Sequence, residues 1–244
     1  ISLSELGAPG SCSPSTTRLN NSFPKYSVED MVNFQNKFLK DKFGITHVRG
    51  IIGNSMGGFV ALTCAVLYPD YADFIISGAS GYKVAGRNYI LSKLVDEIIS
   101  TDEDYDSGNN TSSLERTLRL ATQAVYSFGI SKEALHKIPN NQLDVEFDEF
   151  GDEGLLDSIF DVKYCNDATL DYDIEKDLNK IKSKVLIIGI NQDQYFPPNL
   201  DAIPMYNLIE DSELIIYDSD LGHIGFRELE TIEKELSEFM KNFR

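Results

Sequence analysis

The stretch HVRGIIGNSMGGFVALTCAVL, residues 47–67, decides the fold. His47–Ile52 is short and rich in Val and Ile, the composition of a buried strand. Gly53-Asn54-Ser55-Met56-Gly57-Gly58 follows. Small and apolar residues then run in a helical pattern to Leu67, and the helix stops near Pro69. Ala72–Gly78 is a second apolar strand. Strand, sharp turn, helix and strand in this order are the signature of a βαβ unit with a parallel sheet.

Gly53-x-Ser55-x-Gly57 sits between the strand and the helix. A serine there occupies a strained turn that lifts its hydroxyl clear of the sheet edge, and small residues two before and two after leave room for that turn. The helix N-terminus brings backbone N–H groups, chiefly that of Met56, to the place where an oxyanion would form. A glycine-rich turn with an incidental serine is the plainer reading. The strand before and the helix after favour Ser55 as a nucleophile.

A serine hydroxyl needs a base at neutral pH, and the chain holds three histidines. His47 opens the strand before the turn, at the opposite end of the sheet from Ser55. His136 falls on a short helix, where a surface position is the default. His223, in Asp220-Leu221-Gly222-His223, follows the last short strand and lies at the same end of the sheet as Ser55, which makes it the candidate base. The base in turn needs an acid to hold its tautomer. Asp193 follows a strand in Asn191-Gln192-Asp193-Gln194-Tyr195-Phe196-Pro197-Pro198, again at a carboxyl end, and Ser, Asp, His is the chain order such an arrangement uses. Asp218 and Asp220 compete, but they lie close to His223 in sequence and read as solvated turn acids.

Further out, residues 27–43 form an amphipathic helix opened by a Ser27–Asp30 capping pair. Residues 86–100 and 112–128 read as helices, with shorter ones at 131–138 and 152–160. No strand is expected between Gly81 and Lys182. Lys184–Ile190 and Glu213–Tyr217 are buried strands, and Phe226–Phe243 is a closing helix with one apolar face. The fold class is α/β. A mostly parallel core spans 1–80, with the turn at Ser55, and 181–244, with the acid and the base; a helical insertion spans 81–180.

The chain has 244 residues, 39 acidic and 22 basic, for a net charge of −17. Residues 96–175 hold 20 acidic and 5 basic side chains, a net of −15, and the remaining 164 residues a net of −2. A surface this negative disfavours nucleic acid and anionic membranes as partners. Cys12, Cys64 and Cys165 form no framework and suit a reducing compartment. With no apolar run of membrane-spanning length and no signal-peptide pattern, a cytoplasmic location is expected. The acceptor-type triplets at Asn20, Asn109 and Asn110 then read as chance. The chain opens on Ile1 rather than Met, so sequence upstream is expected.

Four stretches carry a family resemblance: SPSTTRLNNSFPKYSVEDMV (13–32), GNSMGGFVALTCAVLYPDYADFIISGAS (53–80), KVLIIGINQDQYFPP (184–198) and Gly222-His223. In these the chain resembles α/β-hydrolase-fold enzymes, most of all homoserine O-acetyltransferases. The resemblance implies a Ser-His-Asp enzyme passing an acyl group through Ser55 beneath a helical lid. The chain departs from the family in three ways. Ile224 stands where the family has an aspartate that helps to read the amino group of homoserine. Tyr126-Ser127 stands where it has Tyr-Arg, whose arginine engages the substrate carboxylate. The serine also comes early, and Ile1–Gly7 reads as the end of a strand, so the first strands and the loop giving a second oxyanion N–H are expected to be absent.

Lesser signals stay open. Asp102-x-Asp104-x-Asp106-x-Gly108-x-Asn110 resembles a calcium loop, but its glycine is one place late and position twelve is Ser113, so a solvated acidic turn is the better reading and no metal is expected. Tyr126, Phe128, Tyr195 and Phe196 are candidates to line an acyl pocket, or core aromatics. Arg18 is a candidate to face the substrate, or a surface charge.

The expected function is ester hydrolysis through an acyl-enzyme, on a small-molecule ester or acyl donor, with no cofactor. The alternatives are O-acetyl transfer with acetyl-CoA as co-substrate and, from another class, a catalytically silent binding protein. A homodimer is allowed for.

Overall fold

The computed structural model describes residues 1–244 apart from Pro9, Asn110 and Arg244. In chain order the elements are α1 (Pro14–Thr17), α2 (Val28–Phe43), β1 (Val48–Asn54), α3 (Met56–Leu67), β2 (Ala72–Gly78), α4 (Gly86–Ser100), α5 (Ser112–Gly129), α6 (Lys132–Lys137), α7 (Asn140–Gly154), α8 (Ile159–Leu170), β3 (Lys184–Ile190), α9 (Ala202–Leu208), β4 (Ser212–Tyr217) and α10 (Glu233–Lys241). The chain groups into two compact units. One holds residues 1–31, 84–128 and 135–172; the other holds 32–83, 129–134 and 173–244.

The second unit is built on the sheet, with strand order β1-β2-β3-β4 and every pair parallel. β2 and β3 are buried along nearly their whole length and so read as continuous apolar runs, whereas β1 and β4 are only partly covered. Alternate residues face alternate sides. Phe74 and Ile76 of β2 and Leu186, Ile188 and Ile190 of β3 share one core with Ile232 and Phe239, and α10 contributes Leu236 and Met240 to it. α3 packs on β1 and β2 and buries nine consecutive residues, Gly58–Val66, so its sequence is apolar all round. Because all four strands run the same way, the loops after Asn54, Ile190 and Tyr217 emerge at one carboxyl edge.

The first unit is helical. Val95, Ile99, Leu114, Leu118, Ala121, Ile159 and Phe160 form its core. Asp161, on α8, anchors the 13–17 segment: Oδ1 accepts from Ser15 N–H (2.8 Å) and Oδ2 from Ser13 Oγ (3.1 Å) and Ser15 Oγ (2.5 Å). Lys163 is buried between Asp96 (2.7 Å) and Asp167 (2.6 Å). The acidic turn is a helix-supporting device. Asp102 accepts from Ser113 Oγ (2.9 Å), Thr117 Oγ1 (2.5 Å) and Asp104 N–H (3.0 Å). Asn110, which closes the calcium-like spacing and opens one acceptor triplet, lies outside the described residues.

Three expectations need correction. Residues 1–7 form no strand. The stretch 152–160 is not one helix: α7 ends at Gly154, and Ser158 caps α8 by accepting from Phe160 N–H. The closing helix is two pieces, a 3-10 segment Gly222–Ile232 and α10, with a non-helical break at Glu228 (φ −105°, ψ 37°).

Candidate active site

Ser55 stands between β1 and α3 with φ 51° and ψ −124°, a left-handed backbone that a side-chain-bearing residue adopts only when its surroundings impose it. The surroundings here do so. Ser55 N–H donates to Gly78 O (3.0 Å), tying the turn to the end of β2, while Gly58 N–H donates to Ser55 O (2.9 Å) and starts the helix. A Cβ on Gly53 would stand 2.0 Å from the carbonyl oxygen of Gly57, so the turn closes only because residue 53 has none. Met56 is the first residue of α3, which puts its backbone at the positive end of the helix dipole.

Asp193 is the third residue after β3, and its side chain is fully enclosed. Oδ1 accepts from the backbone N–H groups of Tyr195 (2.8 Å) and Phe196 (3.1 Å), which leaves Oδ2 to receive His223 Nδ1 at 2.9 Å. His223 Nε2 stands 2.9 Å from Ser55 Oγ. The structure thus brings Ser55, His223 and Asp193 into one line of two short contacts. Two rings touch the imidazole: Tyr195 meets it edge-on at 4.8 Å and Phe196 lies tilted to it at 5.7 Å, and Phe196 meets Phe59 of α3 edge-on. Tyr195 and Phe196 therefore pack against the candidate base.

The rejected competitors lie elsewhere. His47 sits at the opposite end of β1 from Ser55, with Nε2 3.1 Å from Asp73 Oδ1. His136 is exposed on α6. Asp218 accepts from Asn191 Nδ2 (2.9 Å) and Gln192 Nε2 (3.0 Å), and these two amides hold its carboxyl below the usual carboxylate range. Arg18 and Tyr126 belong to the helical unit. Arg18 is the exposed left-handed cap of α1, and Tyr126 stacks on Phe150 at 5.1 Å.

Sequence reasoning missed the supports of the base loop. Gln192 bridges the acid and base loops, donating from Nε2 to Asp218 and accepting Ser219 N–H at Oε1 (2.8 Å). Ser219 Oγ donates to Glu228 Oε2 (2.5 Å). Gly222, with φ 61°, lies against residues 129–131: a Cβ there would stand 2.7 Å from Ser131 N. Gln194 Nε2 donates to Ile130 O (2.9 Å), so the same short segment also steadies the acid loop. The only sequence signal was two amide side chains placed directly before Asp193.

The profile of the alpha/beta hydrolase fold family matches residues 7–227. The chain belongs to the α/β-hydrolase family. A protein of Methanothermobacter thermautotrophicus named probable acyltransferase is 44% identical over 94% of this chain and 71% of its own length. A homoserine O-acetyltransferase of Haemophilus influenzae is 26% identical over 89% of this chain and 68% of its own. The solved structure of an acetylester hydrolase from Corynebacterium glutamicum superposes with a TM-score of 0.79, at 21% identity, over 90% of this chain and 68% of that one. Among the described residues no helix is long and apolar enough to cross a membrane.

Proposed function

We propose that the protein is a serine-dependent carboxylic ester hydrolase that works through an acyl-enzyme on Ser55. Its family and its relatives, named acyltransferases and esterases, make acyl transfer or ester hydrolysis its chemistry. The observation that carries the reading is the line from Ser55 Oγ through His223 to Asp193 Oδ2, with both contacts at 2.9 Å.

Ser55 Oγ attacks the ester carbonyl while His223 Nε2 takes its proton. Asp193 holds Nδ1–H, which fixes the tautomer that leaves Nε2 free to accept, and stabilises the imidazolium that forms. The Met56 N–H, at the start of α3, receives the oxyanion. The tetrahedral centre collapses, the alcohol leaves with the proton from Nε2, and the acyl group remains on Oγ. Water then gives a proton to Nε2 and attacks the acyl carbon, and the acid departs as Ser55 regains its proton. No group beyond these side chains and water is needed.

Water is preferred over an acceptor amino acid because Ile224, an apolar residue, follows His223, so the base loop offers no carboxylate there to read the amino group of homoserine. The net charge of −17 also disfavours the polyanionic CoA that a transferase would draw on. The small-molecule ester is then the sole partner the reaction requires, and we place the enzyme in the cytoplasm. A second reading, acyl transfer from acetyl-CoA, is favoured by the 44% identity to a protein named probable acyltransferase. Acetyl-ester hydrolysis and acetyl-CoA transfer to an alcohol, measured on one preparation, decide between them. Hydrolysis should exceed transfer at least tenfold, and the reverse order would give the site to the transferase. Either activity surviving Ser55→Ala would remove the serine mechanism altogether.

A further inference from the structure

Glu228 lies outside the triad, in the closing segment Gly222–Ile232, at the residue where that segment leaves helical geometry. Its carboxylate reaches back nine residues to Ser219, in the loop that carries the base. That loop is closed at its neck, where Tyr217 Oη donates to Gly225 O (2.7 Å), and His223 lies between those two residues in the chain. Ser219 is buried. A Cβ on Gly225 would stand 2.4 Å from Ser219 Oγ, so the chain just after the base folds directly over that hydroxyl.

Every polar atom of Ser219 is engaged, and each bond holds part of the site. Its N–H donates to Oε1 of Gln192 (2.8 Å), the residue directly before Asp193. Its carbonyl accepts Gly222 N–H (3.0 Å) and its Oγ accepts Leu221 N–H (3.1 Å), so the two residues before His223 both hang from it. The hydroxyl itself donates to Glu228 Oε2 at 2.5 Å. The sense of that bond is fixed, because a carboxylate only accepts. Glu228 therefore sets the direction of the O–H, which leaves an Oγ lone pair for Leu221 N–H. A bond to a carboxylate is also stronger than one between neutral groups. At the end of this chain of contacts His223 holds Nε2 2.9 Å from Ser55 Oγ and Nδ1 2.9 Å from Asp193 Oδ2 at once.

We propose that Glu228 is a positioning residue for the base: through the Ser219 hydroxyl it fixes the two residues before His223, and so the place of the imidazole between Ser55 and Asp193. The proposal rests on the triad reading above. Without the carboxylate, the hydroxyl is no longer held to one direction, Leu221 N–H loses its fixed acceptor and the approach to His223 loosens. Both short contacts of the imidazole depend on that one stretch of loop. A misplacement of about 1 Å costs on the order of 100-fold in rate. Glu228 bonds to the base loop and not to the ester, so the loss falls on kcat and spares KM.

The test is kcat and KM for acetyl-ester hydrolysis by the full chain, read beside the low-field proton NMR signal of His223 Nδ1–H, which is identified by its loss in His223→Gln. Glu228→Ala should lower kcat about tenfold to 100-fold with KM changed by less than about twofold, and the low-field signal should broaden or vanish. Glu228→Gln keeps an oxygen that accepts from Ser219, so it should hold kcat within about threefold of wild type and keep the signal. Ser219→Ala removes the other end of the same bond. It should match Glu228→Ala, and the double variant should be no worse than either single one. A merely structural role would lower the melting temperature and leave kcat per folded molecule and the low-field signal in place. One check needs no variant: in the wild type, hydrogen exchange at Leu221 N–H should be at least about tenfold slower than at an unbonded loop amide. Unprotected exchange there, a Glu228→Ala enzyme with wild-type kcat, or a Glu228→Gln enzyme as weak as Glu228→Ala would overturn the proposal. Ser55→Ala keeps the two claims apart. If it is inactive while Glu228→Ala keeps full kcat, this proposal fails alone; if it is active, the triad reading fails whatever Glu228 does.

Discussion

The two units solve different physical problems with different residues. In the sheet unit, chemistry is located by backbone. Parallel strands end at one edge, a missing Cβ at Gly53 lets the turn close, and two peptide N–H groups aim Asp193. In the helical unit, an apolar core around Ile99 and Phe160 is supplemented by charged side chains that tie its segments together, as at Lys163 between Asp96 and Asp167 and at Asp161 under the 13–17 segment. Most of the excess negative charge falls in residues 96–175, and the rest of the chain is near neutrality. The contrast teaches that most of the −17 lies in residues 96–175 and outside the strands and loops that carry Ser55, Asp193 and His223.

The contrast can be broken or sharpened by substitution. The largest effect should come from Asp193→Asn. It keeps the shape, but the amide presents the wrong hydrogen-bonding partner to His223, so kcat should fall by about 10⁴-fold with folding intact by circular dichroism. An effect below tenfold would mean that Asp193 is not the orienting acid. Next in size, Leu186→Ala removes a fully buried side chain from β3 and should cost about 2–5 kcal/mol in urea unfolding. In the helical unit, Asp161→Ala strands three donors and should cost about 2 kcal/mol. If it proved costlier than Leu186→Ala, the ranking of apolar packing above charged ties would fail.

Smaller still is a pH effect. Asp201 is raised in the fold from an ordinary value near 3.8 to about 7, so the unfolded chain gives up that proton first. The Asp201 contribution to stability should therefore fall as pH rises from about 4 to about 7 and then level off. Asp201→Asn removes this contribution. Relative to wild type it should gain on the order of 5 °C in Tm on going from pH 4 to pH 8, measured by scanning calorimetry. The least perturbing experiment is thiol counting with Ellman's reagent. Burial pushes the thiols of Cys64 and Cys165 up to about 11 and about 12, whereas Cys12 is exposed, so one fast-reacting thiol per chain is expected at pH 8.

Much of this was legible in the sequence, unevenly between the units. Lys184–Ile190 is apolar along its length because β3 is buried on both faces, and its limits were read to the residue. The turn at Ser55 and the loops of Asp193 and His223 could be read because parallel topology leaves few places for them. The helical unit was harder. Asn140–Gly154 carries six acidic side chains and two glycines, a poor helix by local preference. It is a helix because Arg119 of α5 pairs with Asp148 and Asp152, and because bare Gly154 lets Thr122 of α5 come close. No local pattern announces such partners. The break at Glu228 has the same origin, since its carboxylate is held by Ser219 at nine residues' remove. Gln192 went unread because its role depends on which loops stand side by side.

The central claim is that Ser55 is an activated nucleophile, and covalent labelling tests it most directly. The folded chain is treated with a fluorophosphonate, and intact-mass and peptide mass spectrometry locate the adduct. The account predicts one adduct per chain, on Ser55, and none in Ser55→Ala or His223→Ala. A folded wild-type chain that takes up no label at Ser55, or that labels equally without His223, would contradict it.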